Sequence, residues 1–320
     1  MKVALIIHDR ECGNWKSFQV KNGKAYLLNT EIPYVGSNSN GSIDNFIFRN
    51  VWNYAFINDG YFINPNEGFP KIDLDVIIAV AEHQNSNKVN FINTLRSKYK
   101  NSIIIATLKD TPLWKHNITN GTVNDKKIDT SFYDLCDIIT LPLNDNICKG
   151  VSEVIDRDVY SLPYPYKIDE LRDMFLTNTD DKSILIGCNS WVPGRGYSKC
   201  LEFSKMIAKK YNYNLIENTD SYSWKQWLQV ISKTSCVINM DNWTTPGQVS
   251  IESILLDTPV IGGYSDPSLA ILPEYATNDV DTLEEIFREV TLNYDNSDNL
   301  SKLKSIHSIE SVKNKLEGIL

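Results

Sequence analysis

No run of about 18 apolar residues occurs in the 320-residue chain, so a membrane-spanning helix is not expected. Cysteine is sparse and scattered, at positions 12, 136, 148, 188, 200 and 236, with no CxxC pair and no histidines at zinc spacing. This excludes a zinc ribbon and a disulfide scaffold, and it points to reduced core thiols in a cytosolic protein. No Asp-x-Asp triplet follows an apolar strand: "DLD" at 73–75 precedes one and reads as a turn, and "HDR" and "TDD" make no better ligand sets. An obligatory metal is therefore not expected. No fixed-period repeat, low-complexity tail or basic membrane-docking helix is present. The opening "MKVALIIHDREC" has too short an apolar stretch for a signal peptide and reads as a first buried strand.

Charge is unevenly placed. The net charge of -8 argues against a surface coated in nucleic acid, yet residues 96–127 hold seven Lys/Arg against Asp110 and Asp125. A basic segment on an acidic protein suits a local polyanion contact, and a solvated surface explains it equally well.

Short apolar runs alternate with helical stretches, the pattern of an α/β protein with parallel sheets. Strands are expected at 2–8, 74–82, 102–108 and 136–142, with a helical connection over 84–100 and long Asn/Gly-rich loops over 36–68. The proline-containing stretch 158–175 marks a crossover. The pattern then restarts, with strands at 183–188, 213–217, 236–241 and 258–263 and helices at 197–211, 223–233, 248–256, 282–294 and 309–319. The expected organisation is an N-terminal Rossmann-like domain over 1–165 and a second over 166–300. Helix 301–320 is expected to cross back to the first.

In such sheets ligands sit at the carboxyl ends of strands, where loops meet helix N-termini. "SILIGCNSWVPGRGYSKCLEF" is one such place: a strand ends at Gly187, and Arg195 and Lys199 lie just before and inside the next helix. Arginine offers a fork of donors to phosphate oxygens, and the helix N-terminus adds amide dipoles. "TTPGQVSIESILLDTPVIGG" (244–263) is the second. There Gly247 permits close approach to the amides of Gln248 and Val249, and Glu252 one turn on can accept both hydroxyls of a ribose. A solvated helix face is the plainer explanation of that glutamate. In the first half, Asp110 follows a strand, as do Glu82 and His83, and Lys109, Trp114 and Lys115 flank Asp110. A turn Asp before Thr-Pro is the structural alternative for Asp110.

Taken in order, "ILIGCNSWVPGRG", "CVINMDNWTTPGQVSIESILLDTPVIGG" and "TLEEIFREV" resemble the donor domain of GT-B glycosyltransferases, whose α/β fold joins two Rossmann-like domains around a cleft. Many members carry Glu-x7-Glu on the ribose helix. Glu252 matches the second glutamate, whereas Thr244 stands where the first would fall. That glutamate serves retaining members, so its absence implies inversion. Within the family the chain is most similar to the phage DNA β-glucosyltransferases that modify 5-hydroxymethylcytosine. The likeness lies in "GRGYSKCLEF", "LPYPYKI" and "SIIIATLKDTP", and Val249 departs from a phosphate-binding arginine of that group.

The resemblance implies an inverting transfer from a nucleotide sugar, UDP-linked, to hydroxymethylated pyrimidine in phage DNA. Gly187, Arg195, Lys199, Gly247, Gln248, Val249 and Glu252 would hold the donor. Asp110 would be the general base, with Glu82 and His83 in reserve, and Lys109, Trp114 and Lys115 would meet the acceptor. Mg or Mn could aid the diphosphate without being obligatory. A monomer is expected, without a membrane partner, in the cytoplasm of a host. A glycosyltransferase for a cell-surface polysaccharide or glycolipid, and a non-catalytic nucleotide-sugar sensor, remain open on the same residues.

Overall fold

The computed structural model describes residues 1–8, 18–21, 24–27, 30–35, 40–42, 50–63, 69, 71–81, 88–107, 118–119, 122–123, 133–177, 181–188, 190, 194–218, 222 and 224–320. They divide into two compact units. One comprises Met1–Asn117, Val123–Tyr166 and Ile309–Leu320, and the other Ile118–Thr122 and Lys167–Ser308.

The strands up to Ser161 are, in chain order, β1 (Val3–His8), β2 (Phe18–Lys21), β3 (Lys24–Leu27), β4 (Thr30–Val35), β5 (Asn40–Ser42), β6 (Tyr61–Ile63), β7 (Val76–Ala81), β8 (Ile103–Thr107), β9 (Ile118–Thr119), β10 (Thr122–Val123), β11 (Ile138–Leu141) and β12 (Val159–Ser161). All but β9 and β10, which pair with each other, form one sheet in the order β12-β11-β8-β7-β1-β6-β4-β3-β2-β5. It is parallel from β12 to β4 and antiparallel beyond. Strands β7 and β8 are near-continuous runs of Val, Ile and Ala with Val76–Val80 and Ile104–Ala106 buried, as expected for strands covered on both faces. Helices α1 (Lys88–Lys98) and α2 (Asp145–Ile155) supply the connections β7–β8 and β11–β12. Helix α2 starts where the Asn144 side chain accepts from the Ile147 amide at 3.1 Å, and it buries Ile147, Cys148, Val151 and Ile155 along one stripe.

Within the stretch 36–68, where loops are expected, residues 36–39, 43–49 and 64–68 lie outside the described residues. The stretch contains β5, a 3-10 helix (Asn50–Asp59) and β6. Tyr54 and Ala55 are buried in that 3-10 helix and Ile57 at the kink that interrupts it, and the Tyr54 hydroxyl donates to the Leu162 carbonyl. Apolar residues spaced this way match neither the helical nor the strand period, so the burial leaves no readable pattern.

The second unit is built on four parallel strands, β13 (Ser183–Ile186), β14 (Asn214–Ile216), β15 (Cys236–Ile238) and β16 (Val260–Ile261), in the order β14-β13-β15-β16. Helices α3 (Ile168–Phe175), α4 (Tyr197–Tyr211), α5 (Trp224–Ile231), α6 (Gln248–Leu255), α7 (Asp266–Ile271), α8 (Val280–Asn293) and α9 (Ser297–His307) accompany them. Chain order reverses between the central neighbours β13 and β15, and in open α/β sheets ligands bind at the carboxyl ends of strands at such a switch point. Ile184, Ile186, Phe203, Ile207, Ile238, Ile261, Leu283 and Phe287 form the core on one side of this sheet. The last helix, α10 (Ile309–Ile319), belongs to the first unit and packs on its 3-10 helix. Among the described residues no helix is long and apolar enough to cross a membrane. The five described cysteines are buried free thiols.

Candidate functional site

The loops leaving β13 and β15 converge. Gly187 follows β13, and a Cβ placed on it would lie 2.9 Å from Asn239 Cβ and 3.0 Å from Val249 Cγ1. The first turn of α6 therefore sits directly over the end of β13, a contact that only glycine permits. Gly196, at φ +86°, precedes α4, and a Cβ there would come within 2.5 Å of the Met240 carbonyl. The "GRG" loop is thus pressed onto the end of β15.

Arg195 lies in this loop. Its Nε donates to Asp241 Oδ2 at 2.7 Å and its Nη2 pairs with the same oxygen. The guanidinium stands over the Trp243 ring, 5.4 Å from its centroid. Lys199 turns elsewhere: its Nζ donates to the Asn278 backbone carbonyl at 2.6 Å. Asn278 ties the neighbouring loops, accepting from the Gly263 amide at 2.9 Å and donating to Asn242 Oδ1 at 3.0 Å. Neither Asp241 nor Asn278 stood out in sequence, because an Asp or Asn near a turn is commonplace until its partners are known.

Helix α6 begins at Gln248 after Gly247, which adopts φ +66° with no side-chain cap. A Cβ at Gly247 would lie 2.4 Å from Pro267 Cδ and 2.8 Å from Ser265 Oγ. Gly247→Ala is accordingly expected to cost about 2–4 kcal/mol, combining left-handed strain with overpacking. Urea denaturation of the variant measures this, and an unchanged midpoint would contradict the packing described.

Glu252 is not on a solvated face. Residues 250–255 are all buried and Glu252 is 0% exposed. Its Oε1 accepts from Trp224 Nε1 at 2.6 Å and Gln248 Nε2 at 3.0 Å, and its Oε2 accepts from Trp227 Nε1 at 2.7 Å. Burial pushes the carboxyl up to about 8, and the three N–H donors oppose that rise. These three donors and the full burial make Glu252 an interior acceptor that ties α6 to α5. Trp224 and Trp227 lie one turn apart on α5, and nothing in the sequence ties that pair to Glu252. Thr244, where the family's first glutamate would fall, is also fully buried.

Asp110, Glu82, His83, Lys109, Trp114 and Lys115 lie outside the described residues. The strands that lead toward them, β7 and β8, are parallel neighbours in register Val76↔Ile103 through Val80↔Thr107. Among the described residues no group of three or more His, Cys, Asp or Glu could hold a metal ion.

No protein-family model matches the chain, and no curated protein matches it in sequence. Solved structures do match in fold. An alpha-glucosyltransferase in complex with UDP and a 13-mer DNA containing an HMU base aligns at 10% identity over 99% of this chain and 98% of its own, with a TM-score of 0.57. The N-terminal domain of Candida albicans trehalose-6-phosphate phosphatase aligns at 10% identity over 100% and 98%, with a TM-score of 0.58. S. aureus TarM, solved as a point mutant with Fondaparinux, alpha-GlcNAc-glycerol and UDP, aligns at 11% identity with a TM-score of 0.53. That match covers 93% of this chain, which spans 61% of TarM. Parallel α/β units whose fold is matched along nearly the whole chain by such enzymes give this protein the GT-B glycosyltransferase fold, with two Rossmann-like domains.

Proposed function

We propose that this protein is an inverting glycosyltransferase that moves a sugar from a UDP-sugar to 5-hydroxymethylcytosine in phage DNA. The observation that carries this reading is the convergence of the Arg195 loop and the N-terminus of α6 at the carboxyl ends of β13 and β15. A diphosphate seated there meets a guanidinium fork and the amides of 247–249, and both stabilise the charge that develops on the leaving nucleotide. Gly187 and Gly247 allow the close approach, Val249 and Gln248 form the first turn, and the buried Glu252 anchors that turn through Gln248. Lys199 acts through the Asn278 backbone rather than as a direct phosphate ligand.

Asp110 takes the proton of the acceptor hydroxyl as it attacks the anomeric carbon, with Glu82 and His83 as the alternatives. Thr244 stands where retaining members of the family carry a glutamate near the donor sugar, which favours a single inverting step. The Lys109, Trp114 and Lys115 segment contacts DNA, with the target base turned out of the stack. The DNA and UDP held by one of the structural neighbours are in keeping with this acceptor and donor.

A thermal-shift panel of nucleotides and nucleotide sugars, followed by mass spectrometry of hydroxymethylated DNA incubated with the hits, tests the proposal. UDP and its sugar should raise the midpoint, and a ligand at a hundredfold excess over Kd adds about 2.7 kcal/mol. A hexose or pentose mass should appear on hydroxymethylcytosine only, joined through a β linkage. An α linkage would exclude inversion. Donor consumption without DNA modification would exclude the acceptor.

A further inference from the structure

We infer that Asp241 is a positioning residue: it sets the plane of the Arg195 guanidinium for the donor's phosphates. The inference rests on the donor reading given above and adds a residue to it. Asp241 lies at the carboxyl end of β15, 4% exposed, with its own backbone held by the Tyr264 amide, which donates to the Asp241 carbonyl at 3.2 Å. Its Oδ1 accepts from the Trp243 amide at 3.0 Å, and its Oδ2 takes Nε and Nη2 of Arg195. The carboxylate is therefore fixed before it meets the arginine. Trp243 closes one face of the guanidinium, at 5.4 Å from its ring centroid.

An arginine in a loop would otherwise spread over many rotamers and lose that freedom on binding phosphate. Here the loss has already been taken in folding, which is how preorganisation strengthens binding. Asp241 holds the guanidinium through Nε and Nη2, and the plane it fixes carries five donors in a fork that matches phosphate oxygens. The pairing also offsets the charge of Arg195, so the benefit is orientation rather than added Coulomb attraction. A purely structural ion pair predicts something different: lower stability and no preference for ligands that carry phosphate.

UDP and uridine, compared by calorimetric titration on the full chain, separate these roles. Wild type should bind UDP more tightly than uridine. Asp241→Asn, which keeps the Oδ1 acceptor for Trp243, should weaken UDP at least tenfold and leave uridine within twofold. Arg195→Gln should do the same, and the double variant should be no worse than Arg195→Gln alone. If Asp241→Asn fails to fold, Asp241→Ser, which leaves a hydroxyl acceptor for the Trp243 amide and removes the carboxylate from Arg195, should give the same split between UDP and uridine. Equal losses for UDP and uridine, or tighter UDP binding in Asp241→Asn, would overturn the positioning role. Wild type that binds no UDP would overturn the donor reading itself.

Discussion

Glu252→Ala is expected to destabilise the second unit by about 3–5 kcal/mol, the largest stability loss foreseen for one substitution. The change strands the indole N–H groups of Trp224 and Trp227 and the amide of Gln248, and each orphaned buried donor costs about 1–3 kcal/mol. Some of that is recovered if Gln248 turns to solvent, which is why the sum stays below the upper bound. Urea denaturation followed by tryptophan fluorescence reads it directly, since both indoles report on the site. Glu252→Gln should cost less, about 1–2 kcal/mol, because one acceptor oxygen survives while the new N–H₂ faces an indole donor.

The same glutamate carries a pH dependence. Its folded value is raised from 4.5 to about 8, so between these limits the folded state holds a proton that the unfolded chain has released. Stability from this group is complete below the unfolded value and is lost as pH rises through about 8. Wild type should therefore weaken relative to Glu252→Gln between pH 5 and pH 9. A constant difference across that range would show that the three donors, rather than burial, control the carboxyl.

Asp110→Asn is the second large expectation. It should lower transfer by about 10²–10⁴-fold, the usual contribution of a positioned general base, while UDP affinity stays unchanged. The amide matches the carboxylate in shape and cannot take a proton at neutral pH. The loss should fall on kcat, and the acid limb of the wild-type rate profile should vanish with it. Normal turnover would move the role to Glu82 or His83, which follow β7, the strand paired beside β8.

The sequence by itself determined the local elements. The runs "KVALIIH", "SILIGC" and "CVINMD" announced β1, β13 and β15 because a strand covered on both faces must be apolar along its length. The Gly-Gln start of α6 was legible because glycine is the residue that adopts φ above zero without strain. Helix α2 is legible from its Asn144 cap and the apolar stripe Ile147, Cys148, Val151 and Ile155. The 3-10 helix at 50–59 was not legible, since its buried residues follow no period.

Tertiary structure alone decided which loops meet. Strands β13 and β15 are separated in sequence by β14 yet are neighbours in the sheet, and that adjacency brings Arg195 to Asp241, 46 positions away. It likewise turned Glu252 from a candidate surface residue into a fully buried acceptor for Trp224 and Trp227, up to 28 positions distant. Periodicity records which face a residue takes within its own element. It holds no information on the partners that the packing of other elements brings to that face, and those partners set the charge and geometry of this site.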